Sequence, residues 1–291
     1  MHKIVTDKLR IMEKEQLRLL DLLMAQRESG RHCCFYCNSN DLAFDGSFED
    51  KGERYVVVTC AKCGLGQLNR RFTIEETKAL EDENSYYAPV PEDQVKEAIK
   101  AHGFIVDLMN RFIGKPGRMF EVGCSHGYKL EAARRAGWTA QGIELSARSC
   151  RFAREVLDVP VFEGTLEAFV PNEPFDAIIA WHVLEHVPSL QSFLDHVHAF
   201  LAEGGHLFIQ VPSYRQYRSL TPWEAFTEMY NPAHYWFFDP EALSALIVRH
   251  GFERAEITDD PNMRFLTIIA RKVSRVPETS GSLSEPLASL E

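Results

Sequence analysis

Two cysteine pairs, Cys34-x-x-Cys37 and Cys60-x-x-Cys63, stand 22 residues apart in a chain of 291 residues. Each pair fits a tight turn that offers two thiolates, and two such turns brought together make the four-sulfur tetrahedral site of structural zinc. Cys33 is an alternative first ligand. Unliganded thiols and a redox Cys-x-x-Cys are the competing readings, and the presence of two pairs favours metal. A second group is His182, Glu185 and His186, at i, i+3 and i+4, which share one face of a helical turn. That face reads as a structural loop, as a base or substrate contact, or as a metal site. His234, in the aromatic run Asn231–Phe238, is a further candidate base, histidine being the default at neutral pH. The third group is Glu121-Val122-Gly123-Cys124-Ser125-His126-Gly127, a strand entering a glycine turn before a helix. Glycines there let the backbone approach a ligand closely. Glu144 ends the next strand about twenty residues on, where an acid takes both hydroxyls of a ribose. A dinucleotide turn wants G-x-G-x-x-G. Ser125 and Tyr128 stand at its second and third glycines, so NAD fits poorly.

The elements that must position these groups alternate from Arg118 onward. Strands are expected at Met119–Val122, Thr139–Ile143, Val159–Phe162, Phe175–Trp181 and His206–Val211. Helices fall between them, to Ala136, over Ser146–Leu157, and over Ser189–Ala202 with Gly204-Gly205 as its stop. A helix over Glu241–His250 and an antiparallel pair, Phe252–Thr258 with Arg264–Arg271, close the domain. This order predicts an α/β fold with a mostly parallel seven-stranded sheet and helices on both faces. Residues 92–113 are expected to be helical, with Gly114 to Gly117 as the stop. The divisions are an N-terminal helix (1–31), a cysteine module of short strands (32–69), a linker (70–91), the α/β domain (92–272) and a disordered tail (273–291). The stripe Ile4, Leu9, Met12, Leu17, Leu20 and Leu23 suits a docking helix and a homodimer formed through it.

The composition is that of an ordinary globular protein, with 45% hydrophobic and 25% charged residues. The net charge of -10 provides no overall field toward nucleic acid or an anionic membrane, so neither is expected as a partner. No stretch approaches the roughly 18 apolar residues of a membrane span. A cytoplasmic location is expected, where thiols stay reduced and a cysteine cluster points to metal.

The motifs resemble, in order, those of the class I S-adenosylmethionine-dependent methyltransferases, whose fold is Rossmann-like. Their first motif, E/D-x-G-x-G-x-G, is matched by Glu121, Gly123 and Gly127, with Ser125 at the middle glycine. The series continues through Gly142-Ile143-Glu144-Leu145-Ser146, Gly164-Thr165-Leu166-Glu167, Phe175-Asp176-Ala177-Ile178-Ile179, Leu184-Glu185-His186-Val187 and Gly204-Gly205. It covers roughly residues 86–271.

The resemblance implies S-adenosylmethionine as cofactor. Gly123, Cys124 and Gly127 would lie near its amino-acid moiety, with Glu121 and Ser125 of the same motif in the binding set. Glu144 would hold the ribose, Leu145 would lie against the adenine, and Thr165 and Leu166 would bound it on the other side. Trp181 and His182 would flank the sulfonium, and Tyr86 and Tyr87 would close over the site. Ubiquinone-pathway O-methyltransferases have a related segment, with an acid where His182 stands, that is associated with a divalent metal. In layout the chain also looks like bacterial methyltransferases of sugars or small metabolites that carry an N-terminal zinc module. The expected function is methylation, at oxygen, of a small-molecule or glycan acceptor. His182, His234 and His186 are the candidate bases. The alternatives are an RNA or protein methyltransferase gripping its substrate through the zinc module, and a non-catalytic binding protein on the same fold.

Overall fold

The computed structural model describes residues 33–50, 52–68, 91–218 and 232–273. The expected N-terminal helix, the linker with Tyr86 and Tyr87, and the C-terminal tail lie outside the described residues.

The main sheet has seven strands: β4 (Arg118–Val122), β5 (Thr139–Glu144), β6 (Val161–Glu163), β7 (Phe175–Trp181), β8 (Leu201–Pro212), β10 (Phe252–Asp260) and β11 (Phe265–Lys272). Their order is β10-β11-β8-β7-β4-β5-β6. β8, β7, β4, β5 and β6 pair in parallel, and β11 is antiparallel to both β8 and β10. The order reverses at β4. In open α/β sheets the crevice at the carboxyl ends of the strands beside such a reversal is where ligands bind.

Alternation along the strands sends apolar side chains to both faces of the sheet. On one face Met119, Ala177, Ile179 and Phe208 pack with α1 (Glu92–Ala101), α2 (Phe104–Ile113), α3 (Tyr128–Arg135) and α4 (Ala147–Val156). On the other, Phe120, Val122, Ile178 and Ile209 pack with α5 (Leu190–Phe200) and α7 (Pro240–Arg249). Ser146 and Ser189 cap α4 and α5, each accepting a bond from the backbone N–H three residues on.

Two expectations need correction. The helix over 92–113 is broken at His102-Gly103 into α1 and α2, and Gly114 ends α2 in the left-handed conformation at φ 83°. Gly204-Gly205 does not stop α5. The helix ends at Phe200, and Leu201 is already extended at ψ 142°. The two glycines sit instead in an irregularity of β8, whose pairing with β7 jumps from Phe175↔Leu201 to Ala177↔His206. Gly204, at φ 75°, supplies the conformation the kink needs.

The cysteine module is a second, four-stranded sheet: β1 (Leu42–Asp50), β2 (Glu53–Cys60), β3 (Gly66–Leu68) and β9 (Trp236–Phe237). Its fourth strand comes from the far end of the chain, as β3 pairs with β9 through Gly66↔Phe237 and Gln67↔Trp236. The core is continuous across the join, where Cys34, Val57, Cys60 and Leu68 share one apolar cluster with Phe237, Leu243 and Ile209. A short helix, α6 (Tyr214–Arg218), rivets it from outside. The Tyr214 hydroxyl donates to Asp45 Oδ2 at 2.6 Å, and Arg218 pairs with both Asp45 and Asp239. Among the described residues no helix is long and apolar enough to cross a membrane.

Candidate active site

A cavity of about 450 Å³ opens at the carboxyl ends of β4, β5 and β7. Its wall includes Gly123, Ser125, Glu144, Leu145, Thr165, Leu166, Trp181 and His182. Gly123 is in the left-handed region at φ 66°, and a Cβ there would meet Val183 Cγ2 at 2.6 Å. Only glycine lets the chain turn so tightly against the wall. Glu144 is fixed by the backbone: Ser125 N–H donates to its Oε2 and Ser146 N–H to its Oε1, both at 2.9 Å. Each carboxylate oxygen keeps further acceptor capacity, so the pair is presented to the cavity in one orientation. A preset double acceptor beside two leucines fits a ribose carrying a flat aromatic base.

A second cluster adjoins it. The strand β7 delivers His182, whose φ of 56° is uncommon for a residue other than glycine, and whose N–H donates to Gln210 O. Such conformations persist only where surrounding structure holds them, and they concentrate at functional sites. The ring lies edge-on to Phe265 at 4.6 Å. Its Nδ1 is 3.4 Å from Oε1 of Glu185, a side chain only 1% exposed. His186 donates from Nδ1 to Ala233 O at 3.0 Å, which leaves its Nε2 4.0 Å from the same carboxylate. The His234 ring stands 4.8 Å from that of His186. Burial opposes ionisation of Glu185. The close approach of His182 and the fields of His186 and His234 outweigh it and hold the carboxyl below its ordinary range. Glu185, His186 and His234 also bring one ligand atom each within 4.8 Å of one another, a set that could hold a cation.

The four module cysteines converge. Cys34 and Cys63 sulfurs are 3.5 Å apart, those of Cys37 and Cys60 are 3.6 Å apart, and all four lie within 4.8 Å. Tetrahedral Zn–S bonds of about 2.3 Å place sulfurs roughly 3.8 Å apart, so the set fits one ion. The two turns are alike. Asn38 N–H donates to Cys34 O at 2.9 Å, and Gly64 N–H to Cys60 O at 2.8 Å. Asn38 and Gly64 both adopt positive φ, at 58° and 75°. The hydrogen bond with Cys63 draws the Cys34 thiol down to about 5, while burial pushes Cys37 up to about 11. Four crowded thiols cannot all ionise alone, and a cation removes that conflict. Cys33 stays outside the group, its carbonyl accepting a bond from the Gln67 side chain.

With this geometry in place, comparison with known proteins is decisive at one point. The sequence model of the methyltransferase domain family matches residues 97–257, more than half of the chain. The chain belongs to the methyltransferase domain family. The ubiquinone biosynthesis O-methyltransferase of Actinobacillus pleuropneumoniae is 34% identical over 116 residues, which cover 36% of this chain and 49% of that protein. Its counterpart from Paramagnetospirillum magneticum is 36% identical over 103 residues, 34% of this chain and 41% of that one. The matched stretches thus span half or less of these relatives. Among solved structures, 1,6-didemethyltoxoflavin-N1-methyltransferase of Burkholderia thailandensis aligns with a TM-score of 0.53 at 15% identity, covering 79% of this chain and all 100% of that one. The N-methyltransferase NodS of Bradyrhizobium japonicum aligns with a TM-score of 0.50 at 15% identity, covering 67% and 98%. At such identities they establish the fold, that of the class I S-adenosylmethionine-dependent methyltransferases.

Within this methyltransferase domain, the sequence-derived residues divide. Gly123, Ser125, Glu144, Leu145, Thr165, Leu166, Trp181, His182 and His186 line the cavity. Glu121, Cys124, Gly127 and His234 do not. The Cys124 thiol turns into the core, where a Cβ on Gly142 would meet it at 2.7 Å. Gly127 shapes the turn at φ 80°, with Val159 against it. Tyr86 and Tyr87 lie outside the described residues. Tyr214 and Tyr217 are buried away from the cavity and serve the join between the two sheets. Lys129, Val183, Ser192 and Phe193 also line the wall, and no motif points to them. Lys129 carries a usable signal outside the motifs, being a charged residue two positions after the last glycine of the first one.

Proposed function

We propose that the protein methylates a hydroxyl of a small molecule or sugar, with S-adenosylmethionine as donor. The observation that carries this reading is His182 at the cavity wall, its Nδ1 turned to the buried carboxylate of Glu185. When bound, S-adenosylmethionine supplies an electrophilic methyl group on its sulfonium. Glu144 accepts the ribose hydroxyls, and Leu145, Thr165 and Leu166 enclose the adenine. With Nδ1 facing Glu185 at 3.4 Å, the Nε2 of His182 is the nitrogen assigned to take the proton of the acceptor hydroxyl as its oxygen attacks. Glu185 stabilises the imidazolium that results. His186 and His234 keep that carboxylate charged from its other side. The name of the ubiquinone O-methyltransferase relatives supports an oxygen acceptor. The net charge of -10 disfavours RNA. The test is transfer of isotope label from the methyl of S-adenosylmethionine to a panel of phenols, catechols, sugars, amines and RNA. Label entering hydroxyl acceptors is expected. Label entering only amines or RNA would contradict the reading.

We infer that Cys34, Cys37, Cys60 and Cys63 hold one structural zinc. Each thiolate pair rides its own turn, and so small a sheet has few apolar residues of its own to close it. Metal analysis of the purified protein is expected to give about one zinc per chain, lost in a Cys60→Ser/Cys63→Ser variant together with several degrees of thermal stability. A parent protein without zinc would remove the site.

A further inference from the structure

Among the described residues, none of the cysteine sheet lines the cavity. A short chain of hydrogen bonds nevertheless joins the two. The Cys60–Cys63 turn is itself the connection from β2 to β3, closed by Cys60 N–H donating to Leu65 O at 3.0 Å. Gln67, on β3 and 2% exposed, reaches the other cysteine turn. Its Oε1 accepts the Phe35 N–H at 2.8 Å, and its Nε2 donates to Cys33 O at 3.3 Å. The strand β3 is thereby tied to both turns.

β3 in turn seats β9. Gly66 and Gln67 pair with Phe237 and Trp236, and Leu68 N–H donates to Tyr235 O at 3.0 Å. The fit is close, since a Cβ on Gly66 would meet Phe237 Cβ at 2.8 Å. The same stretch grips the loop after β7. Trp236 Nε1 donates to Val187 O at 2.8 Å, and Tyr235 N–H donates to Glu185 O at 2.8 Å. Val187 lines the cavity, and Glu185 faces His182. A single 3-10 turn, Leu184–His186, gives this loop little regular structure of its own. Trp236 is 2% exposed, so its indole N–H must find its acceptor inside the protein. Packing alone would be met by a phenylalanine. The indole adds one directed bond, and that bond goes to a residue of the cavity wall.

We propose that Trp236 is the positioning residue that couples the cysteine site to the cofactor cavity, so that metal in one and ligand in the other strengthen each other's binding. The proposal rests on the zinc site and on the cavity being the cofactor site. An ion on the four thiolates fixes the two turns, and through them β3, β9 and the wall at Glu185–Val187. Coupling between two binding sites is reciprocal: the factor by which zinc tightens cofactor binding is the factor by which cofactor tightens zinc. A metal that only held its own sheet together would show no such factor.

The test first measures the affinity of the zinc-loaded protein for S-adenosylhomocysteine by calorimetry. Zinc retention against a graded chelator is then compared with and without that ligand at saturation. The ligand is expected to tighten zinc retention at least about 5-fold, the low end of ordinary couplings. Trp236→Phe keeps a ring and removes the N–H. It is expected to hold its zinc, to bind S-adenosylhomocysteine more weakly than the unaltered protein, and to show a smaller factor. Zinc retention indifferent to the ligand overturns the coupling without any variant having to fold, and leaves both sites standing. An undiminished factor in Trp236→Phe overturns Trp236 as the positioning residue. Failure of the loaded protein to bind the ligand overturns the cavity reading, and absence of zinc overturns the metal site. Either takes the coupling with it.

Discussion

Glu144→Ala is expected to weaken S-adenosylhomocysteine binding at least about 100-fold while the sheet stays folded. Two charge-assisted hydrogen bonds to ribose, each worth about 1.5–3 kcal/mol, are lost together. The same carboxylate also receives the Ser125 and Ser146 N–H groups, so the glycine turn loses its latch as well. Glu144→Gln keeps the shape and part of the acceptor capacity, and its loss should be smaller. Gly123→Arg should act as strongly by another route, since the position has φ 66° and a Cβ would lie 2.6 Å from Val183. Equilibrium dialysis with thermal melts checks both. Unchanged affinity in either variant would remove the site as drawn.

The second large effect is expected at His182. His182→Asn should lower kcat by about 10²- to 10⁴-fold, the usual contribution of a positioned base. Asparagine is the informative replacement, because it tolerates the positive φ that His182 adopts, at 56°. The backbone then stays in place and the loss reports on the imidazole. Glu185→Gln should cost less, since it leaves the base but removes the charge that stabilises the imidazolium. Steady-state kinetics with an identified acceptor separates the cases, and a His182→Asn protein with undiminished kcat would exclude His182 as the base.

What was legible in the sequence was local. The strand ending in Glu121-Val122-Gly123 and the acid at Glu144 are neighbours in the sheet, because β4 and β5 pair in parallel and the turn after β4 bonds directly to Glu144. The two Cys-x-x-Cys turns are set by Asn38 and Gly64, residues suited to left-handed backbone. What was illegible depends on contacts between distant segments. β9 has two residues, too few for any periodicity, and only its pairing with β3 makes it a strand. That pairing brings the stretch after His234 against the cysteine sheet. Tyr235 N–H donates to Glu185 O at 2.8 Å, and Leu68 N–H donates to Tyr235 O at 3.0 Å. His234 thereby meets His186, from which it is far removed in sequence. The glycines at 204 and 205 misled because a helix stop and a strand irregularity both use the same conformational freedom.

The central claim is that the cavity between Gly123, Glu144 and His182 binds the nucleoside cofactor, and calorimetric titration of the unaltered protein with S-adenosylhomocysteine tests it most directly. The account predicts one site per chain with a dissociation constant on the order of micromolar, about -8 kcal/mol. No binding at millimolar ligand would contradict it and leave a methyltransferase fold without a cofactor site.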